Sequence, residues 1–248
     1  MDQCKMPTNA GENPAQFFLD AVKNGSKSGV EAALQLGVQI DAPIDGDLTA
    51  LHIAVQQRDY DMVVELLAQG ANPNIPDSLG DTPLFLAAGY GEAKILTKLI
   101  EKNGDADALN SSKANALMRA AYHDHAECCE ILLKHMKTLS IDHQDNSYST
   151  AVMWAVISGR TKALEVLLQH DPDLSLKDGQ NRTAFGVASW FDMLDANNMM
   201  IDHQKNSLAV AAKAAFSAQE AAEKQARNET QTSNRVNRHA ALRSYLRR

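Results

Sequence analysis

Aromatic residues make up only 5% of this 248-residue chain, so Leu, Ile, Val and Ala must fill its interior. That composition suits short helices packed closely together. Cysteine occurs three times, at Cys4, Cys128 and Cys129. An odd number with two neighbours argues against a disulfide framework and for a reducing compartment. No apolar run approaches the roughly 20 residues needed to cross a membrane. The opening stretch Met1 to Pro7 lacks the apolar core of a signal peptide, so a cytoplasmic protein is expected. Export by a specialised secretion system is left open by these features. There is no Gly-x-Ser-x-Gly elbow, and the glycines are dispersed rather than gathered in a phosphate-cradling loop. Catalysis and cofactors are therefore not expected.

What is present is a register. Six segments place a large apolar residue three positions before an alanine: Phe18/Ala21, Leu51/Ala54, Leu84/Ala87, Leu117/Ala120, Val152/Ala155 and Phe185/Ala188. The alanines are 33, 33, 33, 35 and 33 residues apart. A fixed period of this length means stacked supersecondary units. In the second unit Thr49 stands where a cap would start a short helix. Met62, Val63, Leu66 and Leu67 follow at helical spacing, and Gly70 ends that helix. Asn72, Pro73, Asn74, Pro76, Asp77 and Gly80 then form a turn-rich stretch before Thr82. Each unit reads as helix, turn, helix, extended loop. Helices this short are marginal alone, so stacking must supply the burial. The alanine marks where helices of adjacent units approach most closely.

The chain resembles the ankyrin-repeat family. The resemblance rests on Thr82-Pro83-Leu84, on Thr49-Ala50-Leu51-His52-Ile53-Ala54, and on the Gly70-Ala71-Asn72 turn. The segment from Asp124 to Leu133 also looks like the family's second helix, and the likeness covers roughly residues 14–192. It implies an all-α ankyrin-repeat solenoid. Unit four carries two extra residues before Asp142, unit one lacks the threonine, and unit six loses its second-helix pattern after Trp190. The expected organisation is a flexible N-terminus over 1–13 and a repeat domain over 14–204. An alanine-rich helix over 205–228 and a basic tail over 229–248 follow. Ile201-Asp202-His203-Gln204 echoes Ile141-Asp142-His143-Gln144, which allows the start of a decayed seventh unit.

Charge is uneven. Residues 223–248 hold seven Lys/Arg and two Glu, net +5, leaving −12 for the rest of a chain whose total is −7. Contact of the tail with nucleic acid or an acidic membrane is weighed against a solvated tail, and the solvated tail is preferred. His123, His125, Cys128 and Cys129 look like metal ligands, but the cysteines hold the register positions of Met62 and Val63, which read as core. No metal site is expected. His52 falls on the family's first-helix histidine, where it is expected to bond loop backbone.

The resemblance implies a non-catalytic scaffold that binds a partner protein through hairpin tips and the first-helix face, with no small-molecule substrate. Carried onto this chain, the tips include Leu48, Leu79, Asp81 and Arg182, and the helix face includes Gln56, Gln57, Tyr90, Tyr122, His123 and Trp190. Leu79, Tyr90, Tyr122 and Trp190 stand out, because aromatic and apolar groups carry much of the binding energy at interfaces. For Trp190 the competing reading is a seal on the end of the stack. A second class of function stays open: a bacterial effector delivered into a host cell, with an active or transported C-terminal segment.

Overall fold

The computed structural model describes residues 13–215. The expectations for residues 1–12, for 216–228 of the alanine-rich segment and for the basic tail lie outside the described residues. The chain divides into two compact units, Met1–Met199 and Met200–Arg248.

The first unit is built of helix pairs: α1 (Pro14–Lys23) with α2 (Lys27–Gln35), α3 (Ala50–Gln56) with α4 (Tyr60–Ala68), and α5 (Pro83–Tyr90) with α6 (Ala93–Glu101). Then come α7 (Ala116–Tyr122) with α8 (Ala126–His135), α9 (Ala151–Ser158) with α10 (Lys162–Leu168), and α11 (Ala184–Trp190). The described residues contain isolated bridges but no named strand. First helices stack on first helices, in the order α1, α3, α5, α7, α9, α11, while α4, α6, α8 and α10 stack behind them. The helices run only 7–10 residues, too short to persist alone, so this stacking is their stability.

The six register alanines are all fully buried, as are Phe18, Leu51, Leu84 and Leu117 three positions earlier. Side-chain caps start four of the first helices. Thr82, Asn115, Thr150 and Thr183 each accept the backbone N–H three residues on, at 3.0–3.4 Å. Each such cap contributes about 1 kcal/mol. Backbone conformation repeats the register independently. The fourth residue after every core alanine is left-handed: Gly25, Arg58, Gly91, Asp124, Gly159 and Asp192, with φ between 57° and 75°. This residue turns the chain from the first helix into the second, and at Arg58 the conformation costs a side-chain-bearing residue roughly 1–2 kcal/mol.

Neighbouring units are also laced together by polar side chains. Asp41 accepts the N–H of Asn72, Asn74 that of Asp105, and Asp142 that of Asp173, at 2.8–2.9 Å. Asp107 holds the same place in unit three, and the two extra residues of unit four lie opposite it. Its carboxylate takes the N–H groups of Lys137, Thr138 and Leu139 and the Thr138 hydroxyl, at 2.8–3.3 Å. Burial works against the charge, but these four donors hold the Asp107 carboxyl below its ordinary range. The insertion is thus taken up in one clamped loop, and the stack resumes its period at Asp142.

After α11 the chain is helical over 194–199, and in the second unit over 200–215. The echo at 201–204 is therefore not the loop of a seventh repeat. Residues 141–144 lie in a loop where the His143 ring meets the Lys113 carbonyl at 2.8 Å. Residues 200–215 contain neither glycine nor proline and are rich in alanine, which favours helix there.

Candidate partner-binding surface

Two features of each unit reach outward: the hairpin tip and the C-terminal end of the first helix. The tips are rigid. Asp77, Asn110, Asp145 and Asp178 each use one side-chain oxygen to accept two backbone N–H groups of their own turn, at 2.8–3.0 Å. Adjacent tips are joined by backbone bonds, from Ser111 N–H to Leu79, Asn146 N–H to Ser112 and Gly179 N–H to Ser147, at 2.8–2.9 Å. The tips therefore form one continuous edge. His52 fastens it from below. Its Nδ1 accepts the Thr49 N–H at 3.2 Å, which leaves Nε2 as the protonated nitrogen donating to the Asp81 carbonyl at 3.1 Å. The ring is fully buried, and that burial lowers its pKa.

Along this edge Leu79 is 66% exposed and Leu48 half-buried. Asp81 corrects the expectation of a contact residue. It is only 8% exposed, and its carboxylate accepts the Asn110 amide at 2.9 Å. Burial pushes its carboxyl upward, which Asn110 partly opposes. Arg182 is likewise engaged. It is half-buried and forks onto Asp178 through Nε and Nη2 at 2.8 and 2.7 Å, with its guanidinium 5.6 Å from the Trp190 ring. Trp190 itself is 73% exposed.

On the first-helix face Gln56 and Gln57 are exposed, and the Gln57 amide donates to the Lys23 carbonyl at 3.1 Å. Tyr122 is 40% exposed and meets Trp154 and His123 edge-on, with ring centroids 5.6 and 5.1 Å away. Trp154 is held in turn by its indole N–H on Asp145 at 3.0 Å. Tyr90 is half-buried beneath the Arg58 guanidinium, 5.5 Å from its ring. Tyr90 and His123 share a cleft of about 410 Å³ with Arg58, Leu86, Gly89, Arg119, His125 and Arg160. Leu48, Leu79, Arg182 and Trp190 lie outside it.

The three arginines and Trp154 escaped the sequence reading. For Arg119 a signal was present: it fills the place just before the core alanine, where units two, three, five and six carry Ile53, Leu86, Trp154 and Val187. Cys128 and Cys129 are buried free thiols, and burial pushes Cys128 up to about 12 and Cys129 higher still. His125 sits with Nε2 3.1 Å from the Gly89 carbonyl. Both cysteines are thus core side chains. Among the described residues, no group of three or more His, Cys, Asp or Glu is placed to hold a metal ion. No described helix is long and apolar enough to cross a membrane.

A family model of three ankyrin-repeat copies matches residues 51–145 and 84–178, and a second ankyrin-repeat model matches 18–64. The chain belongs to the ankyrin-repeat family. It is 31% identical over 140 residues to the RelA-associated inhibitor of Mus musculus, covering 55% of this chain and 17% of that protein. It is 34% identical over 157 residues to the ankyrin repeat and KH domain-containing protein mask-1 of Caenorhabditis elegans, covering 57% and 6%. Human Inversin is 30% identical over 113 residues, covering 45% and 11%. The chain therefore spans only a small part of the length of these relatives.

Proposed function

We propose that this protein is a non-catalytic scaffold that binds a partner protein through the first-helix face and the hairpin edge. The observation that carries this reading is the aromatic cluster of Tyr122, Trp154 and His123 on that face, with Tyr122 left 40% exposed. Rings held at fixed angles and open to solvent lose little entropy on binding, the character of interface anchors. Backbone bonds between tips make the neighbouring edge equally preorganised. One relative's name, RelA-associated inhibitor, describes association with another protein, which agrees with this use of the fold. No small-molecule substrate, cofactor or metal enters the reading, and a cytoplasmic setting is consistent with it. The delivered-effector alternative depended on the C-terminal segment, most of which lies outside the described residues.

The test is affinity capture from the native cell with the full chain and with a Tyr90→Ala/Tyr122→Ala variant, followed by mass spectrometry. The variant is expected to lose the main partner while keeping its helical circular dichroism. An unchanged partner set would remove this face from consideration.

A further inference from the structure

The cleft between the first-helix ends of units two to five concentrates positive charge on a body whose residues outside 223–248 sum to −12. Arg58, Arg119 and Arg160 line it together with His123 and His125. Acidic groups answer them in part. Glu92 reaches the Arg58 Nε at 3.6 Å, and Asp81 acts on Arg119 through space while its carboxylate bonds Asn110. Arg160 has no ion-pair partner among the described residues. His123 is held below its ordinary pKa first by burial and then by the charges of Arg119, His125 and Arg160.

Arg119 is the centre of the argument. It occupies a slot that four other units fill with an apolar side chain. Its guanidinium lies 5.7 Å from the Phe85 ring, and its Nε is buried with no hydrogen-bond partner. A buried donor left unmade destabilises the fold, and more so when the group is charged. A stacking chain selected for burial alone would carry leucine there. Room for the guanidinium comes from Gly89: a Cβ at that position would stand 3.0 Å from both Cγ and Nε of Arg119. The corresponding positions in units two, four, five and six carry Gln56, Tyr122, Ile157 and Trp190, so this opening is particular to unit three.

We propose that this cleft is a carboxylate-recognition site that takes an acidic segment of the partner protein, with Arg119 forked onto an Asp or Glu side chain and Arg58 and Arg160 flanking it. Guanidinium groups suit this task because their donors match a carboxylate two at a time. Phe85 and Tyr90 hold the Arg119 and Arg58 planes by cation–π contact, so little side-chain freedom remains to be lost. The net negative charge of the rest of the body disfavours acidic chains elsewhere on it, so on the body an acidic segment is favoured at this cleft. The proposal rests on the scaffold reading and adds the chemistry of the partner.

The experiment uses the full chain and a short fluorescein-labelled peptide of Asp, Glu and Ser, followed by anisotropy at about 0.15 M salt. A peptide with Asn and Gln in place of the acids is the control. The acidic peptide is expected to bind and the amide peptide to bind at least about tenfold more weakly. Arg119→Leu, which restores the side chain of unit three's Leu86, and Arg160→Gln are each expected to weaken binding by about tenfold or more. Lys102→Gln removes the same charge at the exposed end of α6 and is expected to change it less than about twofold. Melting curves confirm folding of each variant. The proposal falls if the acidic peptide does not bind, if Arg119→Leu leaves binding intact, or if Lys102→Gln weakens it equally. It falls as stated if a phosphoserine version binds more than about tenfold tighter, since the site then reads phosphate. Capture separates the two readings. A partner kept by Arg119→Leu but lost by Tyr90→Ala/Tyr122→Ala leaves the scaffold and removes the acidic segment.

Discussion

Ala120 is the sharpest place to test the stacking. It is fully buried in α7, which packs against α5 on one side and α9 on the other. Ala120→Leu adds three carbons where the close approach of neighbouring first helices leaves no space. Overpacking of this kind costs typically 1–3 kcal/mol. That range corresponds to about 5- to 150-fold in the opening equilibrium of the affected helices. Amide hydrogen exchange read by mass spectrometry is the suitable assay, because it reports each unit separately. Protection is expected to fall by that factor in α5, α7 and α9, with loosening spreading toward α11, while α1 and α2 stay protected. Lys113→Ala is the control. Lys113 is exposed on a tip with φ 56°, and alanine keeps the same backbone, so the change is expected to stay within about 0.5 kcal/mol. A silent Ala120→Leu beside a damaging Lys113→Ala would refute the register. Uniform loss of protection would refute only the weak coupling between distant units.

Other outcomes follow from single polar contacts. His52 is buried neutral with its pKa lowered, so the unfolded chain takes up the proton first, near pH 6.5. Stability should therefore rise with pH through the window below about 6.5, with a slope of up to about 1.4 kcal/mol per pH unit. Urea midpoints at pH 7 and 5 should converge in a His52→Gln variant, and an equal acid loss in that variant would show other groups responsible. Asp107→Ala removes the acceptor for four donors and should cost about 1–3 kcal/mol, read by thermal melting. Because the folded Asp107 carboxyl is depressed, its contribution is complete above about pH 3.9 and lost as pH falls through its lower folded value, so wild type and variant should converge in strong acid. Cys128 and Cys129 should resist iodoacetamide in the native protein and react once urea unfolds it, because both thiols are buried and held protonated. Native labelling at either site would contradict their place in the core.

Much of this architecture was legible because its cause is periodic. The burial of Ala21, Ala54, Ala87, Ala120, Ala155 and Ala188 follows from spacing alone. The Asp41, Asn74, Asp107 and Asp142 clamp shares the same period but was hidden. Asp and Asn also belong to ordinary turns, and composition does not show which N–H they take one unit away. Asp81 read as an exposed tip for the same reason: its burial depends on Asn110 and His52, both 29 residues distant. The helix over 200–215 was obscured at 201–204 by an echo of an earlier loop, where helix propensity outweighed local likeness. On the face, Tyr122 was recognisable by type and position. The cleft was not, since Arg58, Arg119 and Arg160 come together only when four units stack.

The clamped loop of unit four has a practical consequence. Two residues were added to the chain there, yet the tips on either side remain joined and α7 still packs between α5 and α9. Length at that point is decoupled from the geometry of the first-helix face. A short epitope or a dye-labelled peptide grafted between Leu139 and Asp142 would ride on the protein as a passenger, reporting its position without disturbing the stack.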